Sequence, residues 1–279
     1  MYILFDIGAT KIRVAFSPDG GTIEEARIEP TPPVFEDGVA LIEKLSKEVA
    51  GSNKITAAAG GLPGPLNAES DAYLNLVNIQ GWVGKPVKES FEKAIGTLVY
   101  LENDAALVGM GEATYGAGKG ERIVVYMTLS TGVGGARFIN GKVDENALGF
   151  EPGHQIIDPS GPVCPGCGSQ GDLEAHIGGG SIEKQHGKHP GKITDDAVWD
   201  KAAKFLAIGL NNTILHWSPH LVVLGGSMIA KEPGISLDRT KEYLEQTMKL
   251  FPTLPRIELA TLEDEGGLYG ALAFVKQQR

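Results

Sequence analysis

The sequence predicts an α/β protein built from two similar halves, and three observations carry that expectation. Short apolar runs with strand character alternate with stretches of helical spacing, in a similar order on either side of the glycine-rich stretch Gly116–Gly120. Glycine makes up 38 of 279 residues, well above the ~7% usual share. These glycines cluster where apolar runs end: Gly60–Gly61–Gly64, Gly132–Gly134–Gly135, Gly178–Gly179–Gly180, Gly225–Gly226 and Gly266–Gly267–Gly270. A strand ending in glycine either turns sharply or brings backbone close to something. Several such ends in one chain imply a cleft built from many loops.

In chain order, Tyr2–Phe5, Ile12–Phe16 and Thr22–Ile28 read as strands, the last two joined as a hairpin through Pro18–Asp19–Gly20–Gly21. Phe35 to Val49 has apolar residues at Val39, Ile42, Leu45 and Val49, a helical spacing. Lys54–Ala59 is a strand running into GLPGP, and Leu98–Leu101 is one running into Glu102–Asn103–Asp104. Helical spacing resumes over Ala105–Ala113. In the second half, Arg122–Leu129 and Gly135–Ile139 are strands, and Asn140–Gly141 is a hairpin turn signal. Residues 149–172 are loop-rich. Asp195–Trp217 is a long helix with Ala202, Leu206, Leu210 and Ile214 on one stripe. Leu221–Leu224 is a buried-type strand, Leu237–Leu250 a helix, Arg256–Leu259 a strand and Gly267–Val275 a last helix. His186 and His189 read as an exposed loop without a role.

Hydrophobic residues at 42% and charged residues at 22% exclude intrinsic disorder as the main state. A formal net charge of -10 repels nucleic-acid phosphates, so no nucleic-acid partner is expected. It leaves room for a bound nucleotide, which backbone N–H groups hold without a basic surface. No apolar run approaches the roughly 18 residues of a membrane helix. The N-terminal stretch lacks a basic region and meets Asp6 early, unlike a signal peptide. Two cysteines build no disulfide framework. A cytoplasmic protein without a membrane partner is expected.

Two turns stand out. Asp6–Ile7–Gly8–Ala9–Thr10–Lys11 lies between the first two strands, where backbone N–H groups and the Thr10 hydroxyl can face a phosphate. Asp6 at the strand end suits Mg²⁺. The spacing is not that of a Walker A loop, and by itself the segment reads as a plain hairpin. Thr128–Leu129–Ser130–Thr131–Gly132–Val133–Gly134–Gly135 repeats the chemistry in the second half. Two such turns, one per half, are what a pair of domains gripping one polyphosphate requires.

DIGATK, GLPGP, ENDA, TLSTGVGG, EPGH, CGSQGDLE and VLGGSM occur in the order found in the ROK family, which comprises repressors, open reading frames and sugar kinases. The chain resembles that family from residue 2 to about residue 275. The resemblance implies two ribonuclease H-like domains of the actin-like ATPase type with an interdomain cleft: residues 1–116, and residues 117–263. A C-terminal helix over about 264–279 packs back on the first. It implies that ATP and a sugar bind in the cleft and that the protein forms a homodimer. Repressor members carry a winged helix-turn-helix ahead of the first turn. Here that turn starts at Asp6, so the kinase branch is expected.

Site residues follow from the resemblance. Gly8, Thr10, Lys11, Thr131 and Gly132 hold phosphates, Asp6 helps hold Mg²⁺, and Gly225 and Gly226 let an adenosine lie against backbone. Asn103–Asp104 opens a helix, and the residues alone allow either a helix N-cap or a catalytic pair. The resemblance makes Asp104 the general base for the sugar hydroxyl. It also makes Asn103, Glu151, His154 and Glu174 sugar contacts. Family members often hold a structural zinc with the histidine of the EPGH-like motif and three cysteines. This chain keeps His154 and, ten residues on, Cys164, but has Cys-x-x-Cys at Cys164–Cys167 where the family has Cys-x-Cys. Asp172 stands at the third cysteine position. Zinc accepts His, Cys and Asp, while two ordinary thiols and a redox pair are the competing readings. Taken together, the expectation is an ATP- and Mg²⁺-dependent kinase acting on a hexose or N-acylhexosamine at the 6-hydroxyl. The rival is a sugar sensor of the same family that performs no catalysis.

Overall fold

The computed structural model describes residues 1–64, 67, 72 and 79–278. Pro65 of GLPGP lies outside the described residues. The chain divides into two compact units, one made of Met1–Gly116 with Leu262–Arg279 and the other of Ala117–Thr261.

The first unit contains β1 (Tyr2–Ile7), β2 (Lys11–Ser17), β3 (Arg27–Pro30), α1 (Phe35–Ala50), β4 (Ala57–Leu62), α2 (Val87–Ile95), β5 (Val99–Asn103) and α3 (Asp104–Thr114). The second contains β6 (Ile123–Leu129), β7 (Val133–Ile139), β8 (Lys142–Val143), α4 (Leu173–Ile177), α5 (Gly179–His186), α6 (Asp196–Trp217), β9 (Leu221–Gly225), α7 (Ser227–Ala230), α8 (Leu237–Thr247) and β10 (Arg256–Leu259). The chain then rejoins the first unit as α9 (Gly266–Gln277).

Among the described residues each unit has one five-stranded sheet. The orders are β3-β2-β1-β4-β5 and β8-β7-β6-β9-β10. In each, an antiparallel meander of three strands is extended by two parallel strands on the side of the first. The same order twice, with the same directions, is the ribonuclease H-like arrangement in duplicate. The duplication is visible in the topology although the letters of the two halves are not alike.

Both faces of the first sheet are covered. In the first unit Ile3, Phe5, Ile12 and Val14 pack with Ile42, Leu45, Trp82 and Phe91. Tyr2, Leu4 and Ala59 pack on the other face with Leu107, Leu268 and Leu272. Alternation along β1 sends odd and even residues to opposite layers. In the second unit Val125, Met127, Val222 and Leu224 pack with Leu206, Leu210 and Ile214 of the α6 stripe.

Several boundaries differ from the sequence expectation. The strand expected over Thr22–Ile28 is confined to Arg27–Pro30. The Asp19 carboxylate takes the N–H groups of Gly21 and Thr22 and the Thr22 hydroxyl, each at 2.8 Å. That closes a local turn and leaves residues 22–26 outside the strand. The strand expected over Lys54–Ala59 is shifted to Ala57–Leu62, because it pairs with β1 through Gly61. The helix expected to reach Leu250 stops at Thr247, short of the turn before Pro252. The helices α4 and α5 went unpredicted, since Gly178–Gly179–Gly180 reads as a break. Asn140 and Gly141 have φ of 52° and 75°, the left-handed pair that a two-residue hairpin between β7 and β8 needs.

Candidate active site

In the first unit the parallel strands β1, β4 and β5 end side by side. Asp6 is in register with Gly61 and Gly61 with Glu102, while Leu62 is in register with Asn103. Carboxyl ends of parallel strands are where open α/β sheets bind ligands. The first turn leaves β1 at this end. It is closed by the Gly8 N–H on the Lys11 carbonyl at 2.8 Å. Thr31 fixes it from outside, its hydroxyl donating to the Gly8 carbonyl at 2.7 Å and its N–H to the Thr10 carbonyl at 3.1 Å. Thr10 and Lys11 are exposed at its tip.

Asp6 is opposite Arg13 in the β1–β2 ladder. The guanidinium stands 3.3 Å from its carboxylate, and 3.8 Å from that of Asp264. Burial pushes the Asp6 carboxyl above its ordinary range, and Arg13 opposes that shift. Arg13 was not anticipated from the sequence, although counting residues across the turn pairs it with Asp6. Asp6 has a carboxylate oxygen to offer a hard cation such as Mg²⁺.

At the end of β5, Asn103 caps α3. Its Oδ1 accepts from the N–H groups of Ala105 at 2.9 Å and Ala106 at 3.1 Å, and its Nδ2 donates to the Gly64 carbonyl at 3.1 Å. The cap reading of this pair therefore holds for Asn103. Asp104 follows as the first helical residue, one Oδ1 accepting from the Ala105 N–H at 2.8 Å. Glu102, also unanticipated, is half-buried, and loss of solvent pushes its carboxyl up against the opposing Asn103 N–H.

In the second unit the end of β6 carries the second turn, closed by the Ser130 N–H on the Gly132 carbonyl at 2.9 Å. Thr128 is in register with Gly225 of β9. Gly226 has φ of 91°, and a Cβ there would lie 2.3 Å from the Leu129 carbonyl oxygen and 2.6 Å from Ser130 Oγ. Only glycine lets the β9 end pass this close to the turn. Beside the turn is a cavity of about 210 Å³ lined by Ser130, Thr131, Gly180, His189, Ser227 and Lys231 among others. His189, expected to have no role, thus faces the same cavity as Thr131. Its Nδ1 accepts from the Gly191 N–H at 3.2 Å.

Glu151, His154 and Glu174 come together. Residues Pro152–His154 form a single 3-10 turn whose Gly153 backbone rests on Val133, where a Cβ would meet the carbonyl oxygen at 2.0 Å. Partial burial pushes the Glu151 carboxyl up, with His154 opposing and the Glu174 charge adding. Glu174 lies in the first turn of α4. Its Oε2 accepts from the Val133 N–H at 2.8 Å, and its Oε1 from the Cys164 thiol at 3.4 Å.

His154, Cys164, Cys167 and Asp172 form a cluster whose ligand atoms all lie within 4.8 Å of one another. Asp172 is fully buried and uses its two oxygens differently. Oδ1 caps α4 through the Ala175 N–H at 2.7 Å. Oδ2 meets His154 Nδ1 at 2.9 Å and Cys167 Sγ at 3.2 Å. Burial alone would raise the Asp172 carboxyl, but the bonds from His154, Ala175 and the two thiols outweigh it and hold the carboxyl below its ordinary range. Burial pushes the Cys164 thiol up to about 12, against the opposing N–H groups of Cys167 and Gly166. One imidazole, two sulfurs and a carboxylate at this spacing fit a four-coordinate zinc, which would displace the thiol protons.

The ROK family model matches residues 2–278. The glucokinase of Streptomyces coelicolor is 34% identical to the chain over 209 residues. That match spans 73% of this chain and 63% of the relative, so the chain spans less than two thirds of the length of that relative. The ROK hexokinase structure from Thermus thermophilus is similar with a TM-score of 0.88 and 28% identity, covering 99% of both chains. The ROK glucokinase of Streptomyces griseus, solved with glucose and AMPPNP, has a TM-score of 0.80 and 26% identity, again covering 99% of both chains.

Proposed function

Because the chain belongs to the ROK family, we propose that it is a sugar kinase, transferring the terminal phosphoryl group of ATP to the 6-hydroxyl of a hexose or N-acylhexosamine. The observation that carries this reading is the common location of Asp104 and the first turn at the carboxyl end of one sheet. A hydroxyl acceptor needs a base beside the phosphoryl group it attacks, and Asp104 is a carboxylate held at a fixed strand-to-helix junction.

The residues divide the work. Asp104 takes the hydroxyl proton as the oxygen attacks. Asn103, Glu151, His154 and Glu174 orient the sugar, an arrangement of carboxylates and an imidazole suited to vicinal hydroxyls. Gly8, Thr10, Lys11, Thr131 and Gly132 bind phosphate oxygens, and the cavity beside Thr131 with Gly225 and Gly226 takes the nucleoside. Asp6 would help hold Mg²⁺, which would supply positive charge beside the phosphates. His154, Cys164, Cys167 and Asp172 would hold a zinc ion, whose role would be structural because four protein ligands would leave no open position. A cytoplasmic homodimer with no nucleic-acid or membrane partner completes the reading. Among the described residues no helix is long and apolar enough to cross a membrane.

A coupled ADP-release assay tests it, run with glucose, mannose, fructose, N-acetylglucosamine and N-acetylmannosamine, and with polyphosphate in place of ATP. Sugar-dependent ADP release is expected with at least one hexose. Sugar binding without ADP release from any of them would make the protein a sensor.

A further inference from the structure

The stretch from Asp172 to His186 holds the second turn at three points. The Gly179 N–H donates to the Ser130 carbonyl at 2.8 Å and the Gly180 N–H to the Thr131 carbonyl at 2.9 Å. The third point is a side chain, with Glu174 Oε2 accepting from the Val133 N–H. The same carboxylate fills the space beside Gly132, where a Cβ would lie 2.5 Å from Oε2. Val133 is buried, so its N–H has no ready exchange of partner for water, and an unmet buried donor is costly. The two carboxylate oxygens thus serve different places: Oε1 faces the Cys164 loop and Oε2 the turn.

We propose that Glu174 is a positioning residue for the donor turn as well as a contact for the acceptor sugar. Resting on the reading that Thr131 and Gly132 bind phosphates, the assignment makes one carboxylate common to both substrates. Oε2 fixes the Val133 N–H, and with it the backbone direction of Gly132 and Thr131. A Cβ on Gly132 would have to push this carboxylate out of its place beside the turn.

Two variants separate this role from simple sugar contact. Glu174→Gln keeps an oxygen that can accept from the Val133 N–H. Glu174→Met has similar length and no such acceptor. Binding of AMPPNP with Mg²⁺, measured by calorimetry without sugar, is expected to stay within about threefold of wild type in Glu174→Gln and to weaken by about tenfold in Glu174→Met, the scale of one unmet buried donor. Sugar binding weakens in both. AMPPNP binding at wild-type strength in Glu174→Met overturns the proposal. Amide exchange of wild type supplies a reading independent of any variant. Slow exchange at Val133 is expected, and exchange at the rate of an open loop also overturns it. Failure of wild type to bind AMPPNP while Val133 stays protected counts against the kinase reading and leaves the Glu174 contact standing.

Discussion

Asp104 stands beside the residue that fixes the start of its helix. Asn103 supplies the cap of α3 and ties the junction to Gly64, so removing the Asp104 carboxylate leaves the helix start in place. Asp104→Ala is therefore expected to lower kcat by roughly 100-fold to 10,000-fold, the range for loss of a positioned base, with little change in Tm or sugar affinity. Near-normal kcat in that variant removes Asp104 from the mechanism. His176 carries a different expectation. Its ring stacks on Phe205 at 3.8 Å between centroids, and its Nε2 is buried without a hydrogen-bond partner among the described residues, 3.7 Å from the Asp158 carboxylate. Burial holds its pKa below the ordinary 6.5, with Asp158 and Asp172 opposing and Lys201 adding. The unfolded chain then binds the proton more readily than the folded one. Stability from the neutral ring is complete above about pH 6.5 and falls as the pH drops from there toward the folded pKa. Tm of wild type should decline between pH 7.5 and 5.5 more steeply than Tm of His176→Gln, and parallel curves would exclude His176 as the cause. At this scale the sequence carries the chemistry-bearing residues well. Asp104, Asn103, Glu151 and Glu174 sit in short motifs whose order identifies the family. What it hides is pairing at a distance. Arg13 opposite Asp6 follows from strand register, whereas His189 reaches the Thr131 cavity only through folding of residues nearly sixty positions apart in the chain.

Among the elements, the loop from Pro152 to Asp172 carries the His–Cys–Asp cluster. Two isolated bridges, Ile156 with Asp172 and Val163 with Gln170, hold it as a closed excursion. Asp172 ends it by capping α4 with one oxygen and joining the His–Cys cluster with the other. A cation there would tie the loop to the helix that carries Glu174. Protein purified without chelator is expected to hold about one equivalent of zinc, and chelation to raise the sugar KM more than the ATP KM. An Asp ligand is harder than a thiolate, so zinc should leave more readily than from a three-cysteine site. Elemental analysis decides: below about a tenth of an equivalent with full activity in chelator, the cysteines are ordinary thiols. This loop also shows where reading elements from sequence stops. The turns of Asn140–Gly141 and Gly8–Thr10 carry local rules and are legible, as is the α6 stripe. Helices as short as α4 and α5 have too few residues for periodicity, and Asp172 as a cap is recognisable only once Ala175 is seen to be helical. The segment at Thr22–Ile28 fails for the opposite reason: its composition suits a strand, but Asp19 captures the first N–H groups and delays the pairing.

At the scale of the whole chain, the two units are not equivalent in how they are assembled. The second is one continuous segment, Ala117–Thr261, with its own core around Leu206, Leu210 and Val222. The first needs both ends of the chain. Leu268, Ala271 and Leu272 of α9 cover the sheet face formed by Tyr2, Leu4 and Ala59. The fit against α3 is close enough that a Cβ on Gly270 would lie 1.8 Å from the Leu107 carbonyl oxygen. Burying one large apolar side chain contributes about 1.5–3 kcal/mol, so the loss of α9 approaches the whole stability of a domain, about 5–15 kcal/mol. Ala117–Thr261 expressed alone is therefore expected to unfold cooperatively in urea, and Met1–Gly116 alone to show no cooperative transition. The break should be repairable. A Cβ on Gly116 would lie 3.0 Å from Leu262 Cγ, and the Leu262 N–H donates to Glu112 Oε1 at 2.8 Å, so the two cut ends are neighbours. Met1–Gly116 joined to Leu262–Arg279 through a short Gly/Ser linker should recover a cooperative transition and near-ultraviolet circular dichroism. A cooperative transition in Met1–Gly116 without α9, or none in the joined form, would show that the first unit depends on something other than the packing of α9 on its sheet.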